Sequence, residues 1–338
     1  MNVYLIPLSA FAAAAGGTWI VRQYARSRNM LDVPNERSSH TRPTPRGGGA
    51  AIVAAMLLAV MVLWSRNALF AADAMAVLGA GGAVAAIGFL DDHRTVPARV
   101  RLAVHFGAAG WALYWTGLPQ VWVAGVGTAV PAAIGYLVTA FALVWLLNLY
   151  NFMDGIDGRA ASEAVFVCAA ATGILLTDGR GAPHMAMVLA AAALGFLLWN
   201  LPPASIFMGD VGSGFVGIML GIIGLVEFGQ SLQDGAAWLI LLAVFITDAT
   251  VTLFRRWRSG VSVSTAHRTH AYQRLSRRFG SHRPVTLLVA LLNLFWLLPL
   301  ALLVQRGMLG APLGLAAAFL PLVAAAWLLG AGVHSAES

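Results

Sequence analysis

Of the 338 residues, 59% are hydrophobic and only 10% charged, against roughly one quarter charged in soluble domains, which excludes an ordinary water-soluble enzyme. The formal charge of +7 rests on 21 basic residues, all of them arginine, with no basic stripe interleaved with aromatics, so a nucleic-acid partner is excluded as well. One cysteine, Cys168, in an apolar stretch leaves no disulfide framework.

Apolar stretches long enough to cross the hydrocarbon layer recur along the whole chain. They predict helices at roughly 3–22, 47–64, 74–90, 99–116, 131–150, 160–177, 184–200, 212–228, 236–254, 284–304 and 311–332. The expected fold is an all-α integral membrane protein of about eleven transmembrane helices, with residues 1–338 as a single domain. Met1–Ile20 has neither a charged leader nor a cleavage site before Arg22, so it is read as a retained helix. Eighteen arginines fall on one side of the predicted membrane, and only Arg66, Arg180 and Arg306 on the other. The positive-inside rule makes the arginine-rich face cytoplasmic, with the N-terminus outside and the C-terminus inside.

The outer connections carry scattered single acids, Asp73, Asp178 and Asp234; the inner ones carry the chemistry. The first inner loop ends P-T-P-R-G-G-G, and its three glycines open a helix whose free N–H groups could meet an anion. The second begins G-F-L-D-D-H-R, placing Asp91 and Asp92 together at a helix C-terminus, where both oppose the macrodipole. Arg94, Arg99 and Arg101 follow as partners for them or for a phosphate.

The stretch N-L-Y-N-F-M-D-G-I-D-G-R then repeats a polar residue every third position: Asn148, Asn151, Asp154 and Asp157. Such spacing stacks them on one helix face, or crowds them into one turn where the glycines end the helix. Carboxylates gathered without basic residues among them suit a bound cation or a donor-rich ligand. Further on, N-L-P-P-A-S-I-F-M-G-D-V-G-S-G isolates Asp210 among glycines. Mg²⁺ commonly takes one or two carboxylates plus substrate phosphates; a helix N-cap is the other reading of Asp210. Phe207 suits either base stacking or the membrane interface. The last inner loop puts His267, Arg268 and His270 within one turn, too few ligands for zinc but apt for a phosphate or sugar. Asp248, Thr252 and Arg255 form a stripe on the helix before it, read as an Asp–Arg pair or as part of the site.

Carboxylates for Mg²⁺, cations for phosphate and a common membrane face describe phosphoryl transfer to or from a lipid. A D-D-x-x-D prenyl synthase is excluded, because Thr95 stands in the third acidic slot. In that order, G-F-L-D-D, N-x-x-N-F-M-D-G-I-D-G and F-M-G-D-V-G-S resemble the polyprenyl-phosphate N-acetylhexosamine-1-phosphate transferases, the bacterial enzymes that initiate O-antigen and peptidoglycan lipid intermediates. The resemblance runs from the P-T-P-R-G-G-G loop to the histidine loop.

It implies a Mg²⁺-dependent enzyme of the bacterial inner membrane, with its active site on the cytoplasmic face. A UDP-N-acetylhexosamine and undecaprenyl phosphate would be its substrates, giving the diphospholipid-linked sugar and UMP. By the same resemblance Asp210 is the Mg²⁺ ligand, and Asp91 and Asp92 serve the lipid phosphate or the metal. Asn148 belongs to the same substrate-binding face. Asn151, Asp154, Asp157, Asn200 and Phe207 would form the uridine pocket, and His267, Arg268 and His270 the sugar-recognition loop. The sequence H-R-T-H-A-Y-Q-R-L lacks the consecutive histidines of many relatives, which argues against a muramyl-pentapeptide substrate. A homodimer stays open. A lipid-phosphate transporter or flippase is the competing class, but transporters place ionisable residues near the bilayer midplane, and here they cluster at inner helix ends.

Overall fold

Long apolar runs leave backbone N–H and C=O groups no partner but each other, and a helix satisfies them within one segment. The computed structural model describes residues 5–34, 42–119, 131–180, 182–261 and 267–333. Each predicted apolar stretch coincides with a helix or a helix pair. In chain order these are α1 (Leu5–Ser27), α2 (Gly49–Ser65), α3 (Ala71–His93), α4 (Ala98–Thr116), α5 (Ala132–Met153), α6 (Arg159–Thr177), α7 (His184–Asn200) and α8 (Asp210–Glu227). Then come α9 (Leu232–Leu241), α10 (Ala243–Arg258), α11 (Ala271–Phe279), α12 (Arg283–Gln305) and α13 (Ala311–Leu328). The strands β1 (Leu31–Asp32) and β2 (Thr44–Pro45) pair antiparallel in the first loop.

Among the described residues seven helices are long and apolar enough to cross a membrane: α1, α3, α5, α6, α8, α12 and α13. An eighth span results if α9 and α10, bent by 72° at their junction, are taken together. The remaining three of the eleven expected spans are helices too, but shorter or more polar. Helices α2 and α7 are apolar but have only 17 residues each, and α4 carries Arg99, Arg101 and His105 in its first half. The molecule is a multi-span membrane protein whose outward side chains, such as Leu137, Phe141, Leu287 and Phe295, are apolar and exposed.

Helix α8 is the axis of the fold, buried without interruption from Val211 to Ile223. It lies against α5, α3 and α2, while α7 is enclosed by α1, α6 and α2. Small residues set these distances, as they do between helices in lipid. A Cβ added to Gly49 would come within 2.3 Å of the Gly212 Cα, so α2 and α8 touch backbone to backbone at the end carrying the polar motifs.

The same end is laced by backbone hydrogen bonds. Phe207 N–H donates to the Pro45 carbonyl (2.8 Å), Gly48 N–H to Phe207 (2.9 Å) and Gly49 N–H to Met208 (2.8 Å). The glycines that open α2 were expected to offer free N–H groups to an anion. Two of those groups are spent on the 207–208 segment instead, because a buried N–H must find a partner.

Candidate functional site

Asp210 begins α8, and its side chain, 37% exposed, faces a cavity of about 640 Å³. One carboxylate oxygen accepts from Asn151 Nδ2 at 2.8 Å, and the other lies 3.4 Å from Arg101 Nη1. That same guanidinium nitrogen lies 2.5 Å from Asp91, whose other oxygen accepts the Val96 N–H (2.7 Å). The Asp91 and Asp210 carboxyl groups are within hydrogen-bonding reach of each other. Two carboxylates therefore share one cation, and like charges this close favour a further positive charge or a proton between them. The sequence suggests an arginine partner without choosing among Arg94, Arg99 and Arg101. Only the turn at Pro97 brings Arg101 back over Asp91.

Asp92 faces the other way. It is 5% exposed, and its two oxygens accept the N–H groups of Asp210 (3.0 Å) and Val211 (3.1 Å). A carboxylate from α3 thus caps the start of α8 and complements its dipole. The close fit requires glycine at 209: the backbone there has φ +76°, and a Cβ would meet Asp92 Oδ2 at 2.7 Å. Arg46 Nη2 donates to the Asp92 carbonyl, tying the first loop to the same corner.

Asn148 and Asn151 both line the cavity, one turn apart on α5. Asn148 donates to the Val144 carbonyl (2.7 Å) and approaches His105 Nδ1 at 3.5 Å. Helix α5 ends at Met153, so the two later aspartates leave its face. Asp157 instead fastens loops together: it accepts the Ala204 N–H at 3.0 Å and lies 3.2 Å from His282 Nδ1. Asn200, 2% exposed, accepts the Gly158 N–H (3.0 Å) and donates to the Ile206 carbonyl (2.9 Å). Asp154 is part-buried between these groups. Desolvation, then the charges of Asp210, Asp92 and Asp157, raise its carboxyl well above the usual range. Phe207 is part-buried and lies outside the cavity lining, with its backbone held by the 45–48 segment.

His267 and His270 close the opposite wall of the cavity, their rings stacked 5.0 Å apart. Arg268 does not line it; its carbonyl accepts from Arg277 (3.0 Å). The start of α11 is held by Asp248, which accepts the N–H groups of Ala271 and Tyr272, each at 2.9 Å, and lies 3.4 Å from His270 Nδ1. Of the stripe on α10, Thr252 does bond Asp248 (3.2 Å), but Arg255 turns away and lies over the Trp327 ring at 4.1 Å. The Asp–Arg pair is therefore not formed.

The cavity joins Arg101, Asn148, Asn151, Asp210, His267 and His270 at its polar end. Away from them its walls are Leu102, Phe106, Phe141, Val144 and Trp145. Among the described residues no three His, Cys, Asp or Glu side chains converge on a metal-sized point. His105, a lone histidine in an apolar helix that the sequence leaves evenly open between a structural contact and function, also lines the cavity.

Comparison with known proteins matches residues 74–227 to glycosyl transferase family 4. The chain is 33% identical over 319 residues to the decaprenyl-phosphate N-acetylglucosaminephosphotransferase of Mycolicibacterium smegmatis, covering 85% of this chain and 78% of the relative. It is 28% identical to the probable undecaprenyl-phosphate N-acetylglucosaminyl 1-phosphate transferase of Bacillus subtilis (82% and 78% covered). It is 27% identical to the undecaprenyl-phosphate alpha-N-acetylglucosaminyl 1-phosphate transferase of Escherichia coli K12 (81% and 76% covered). All three motifs that line or brace the cavity, those around Asp91, Asn151 and Asp210, fall inside the matched segment. With that extent of identity over most of both chains, the protein belongs to glycosyl transferase family 4.

Proposed function

We propose that this protein transfers the sugar-1-phosphate of a UDP-N-acetylhexosamine to undecaprenyl phosphate, releasing UMP, at the cytoplasmic face of the bacterial inner membrane. The observation that carries the reading is a single cavity that is ionic at one end and apolar along the other. A phosphate-bearing polyprenyl chain needs both surroundings at once. The similar proteins are themselves polyprenyl-phosphate N-acetylglucosamine-phosphate transferases by name, which supports the acceptor class and the general reaction. The arginine-rich ends of the helices support the cytoplasmic address.

In the proposed reaction an acceptor phosphate oxygen attacks the β-phosphorus of the donor. A new P–O–P bond forms, and the bond to the UMP oxygen breaks. The second pKa of a phosphate monoester is about 6, so the nucleophile is already mostly dianionic at neutral pH and has little proton to lose. Charge is the obstacle, since a dianion must approach a diphosphate. Arg101 offers a cation at the ionic end, while Asn151 fixes the Asp210 carboxylate in the plane facing the cavity. Asp92 works through Asp210, by holding the N–H groups at the start of α8.

Mg²⁺ fits this corner. Asp210 with Asp91 supplies hard carboxylate oxygens sharing only one guanidinium, and Mg²⁺ takes few protein ligands when phosphates complete its shell. Bound there, Mg²⁺ would neutralise and align the two phosphates. His267 and His270 are assigned to the donor's diphosphate–sugar portion, and the uridine to the neighbourhood of Phe207.

The decisive experiment is UMP release from UDP-sugars by the purified protein, with and without undecaprenyl phosphate. Release that requires the lipid supports the transferase. No release, with lipid phosphate moved across a vesicle membrane, supports the transporter. A panel of donors led by UDP-GlcNAc and a 6-deoxy derivative such as UDP-FucNAc would identify the sugar and test a role in O-antigen initiation.

A further inference from the structure

A column of flat groups runs from the cavity wall into the core. The rings of His267 and His270 are 5.0 Å apart at 26°, and those of His270 and Tyr272 are 5.6 Å apart at 26°. The Arg159 guanidinium follows, 4.6 Å from the Tyr272 ring, and then Phe245, 4.9 Å beyond it. Tyr150 closes the column 5.1 Å from Phe245. Arg159 is 2% exposed, and among the described residues its Nε and Nη1 donate to nothing. A guanidinium with idle edges between two rings is held by its faces, through cation–π attraction and stacking.

Tyr272 cannot slide within this column. Its hydroxyl donates to the Phe152 carbonyl at 2.9 Å, and it occupies the space a Cβ on Gly155 would need, 2.1 Å away. Its N–H is held by Asp248 at 2.9 Å. Phe152 and His270 both line the cavity, so Tyr272 fixes the spacing of two of its walls. Arg159 is the support beneath it. Asp248 and Glu163 both attract Arg159 electrostatically, but among the described residues neither forms an ion pair with it, and Asp248 has its oxygens engaged by α11.

We propose that Arg159 and Tyr272 are positioning residues that set the angle of His270 and His267 in the cavity, and thereby the binding of the sugar-nucleotide donor. The proposal rests on the transferase reading for the identity of the donor. Neither residue reaches the reacting phosphates; both act through the histidine pair.

The test uses the full-length purified protein with UDP-GlcNAc and undecaprenyl phosphate. Tyr272→Leu removes the ring and should raise KM for the donor about tenfold, with KM for the lipid within about twofold. Tyr272→Phe keeps the ring and should hold the donor KM within about threefold of the parent. Arg159→Met, which keeps length without charge or plane, should resemble Tyr272→Leu, and it takes over both readouts if Tyr272→Leu does not fold. Donor and lipid KM rising together, or a Leu variant indistinguishable from the parent, would overturn the proposal. A second readout needs no turnover: the imidazole resonances of His267 and His270 in ¹³C-histidine-labelled protein should shift in Tyr272→Leu and Arg159→Met. Unmoved resonances would overturn it too. If the parent releases no UMP, the transferase reading fails, and the resonances alone decide whether the column positions the histidines.

Discussion

Two walls of the cavity are built by the same device and braced in different ways. At the start of α8 the Asp92 carboxylate from α3 accepts two backbone N–H groups and presents Asp210. At the start of α11 the Asp248 carboxylate from α10 accepts two and presents His270. The first corner has additional backbone bonds to the 45–49 segment and glycine-tight contacts. The second depends on side chains: Tyr272, Arg159 and the histidine rings. Backbone bracing gives a fixed wall at Asp210, whereas side-chain bracing gives a wall that a single substitution can re-aim. The charge environments differ as well. Asp92 lies between the cationic Arg46 and the acidic Asp91, whereas Asp248 lies near the buried Arg159.

In the proposed reaction the phosphates meet at the α8 wall, so the largest expected effect is there. Asp210→Asn should lower turnover about a thousandfold at every pH, as expected for loss of a charged group at the reacting phosphates. Steady-state UMP release with Mg²⁺ fixed checks this, and recovery on raising pH alone would contradict the metal assignment.

Stability should separate the two caps. Asp248→Asn weakens the two N–H bonds that hold the start of α11 and removes one of the two acids, with Glu163, that attract the buried Arg159, a loss of about 3–5 kcal/mol. Asp92→Asn weakens two hydrogen bonds, about 1–3 kcal/mol, while the lost attraction to Arg46 and the relieved repulsion from Asp91 oppose each other. Asp248→Asn should therefore unfold at clearly lower temperature in detergent. Its hydrogen exchange should rise around 267–273 more than Asp92→Asn raises it around 207–213. Equal losses would remove the distinction between backbone and side-chain bracing.

Phe207→Ala sharpens the α8 wall further. It should weaken UDP-sugar binding by about 1–3 kcal/mol, the worth of one base–aromatic stack, and leave lipid affinity nearly unchanged. Equal weakening of both ligands would make Phe207 a brace for the 45–48 segment instead.

The smallest effect at neutral pH is expected at Asp154. Its carboxyl is raised by desolvation and by three neighbouring carboxylates, so the protonated form persists to higher pH than in an ordinary aspartate. Asparagine imitates that neutral form. Asp154→Asn should therefore differ least from the parent at the acid end of its working range and more as pH rises and the parent's carboxyl ionises. A difference that does not grow with pH would contradict the raised carboxyl.

The sequence by itself determined that the protein is helical and membrane-embedded, because apolar run length answers directly to the absence of water partners for the backbone. It also marked the polar motifs, since aspartates and asparagines at apolar helix ends are costly without a purpose. Of its eleven expected spans, α2, α4 and α7 are helices that fall short of the length or hydropathy of the others, a difference of one turn or of a polar first half that run length alone does not weigh. Only the tertiary structure decided how the marked residues divide. Asp91 and Asp92 are adjacent in sequence, yet one joins Arg101 at the cavity and the other caps α8. Asn151 lines the cavity while Asp157 fastens loops, although spacing alone treats them alike. Arg101, Asp248 and Arg159 acquire their places through contacts between helices distant in the chain. Those contacts depend on which face each helix buries, and a single sequence does not state that.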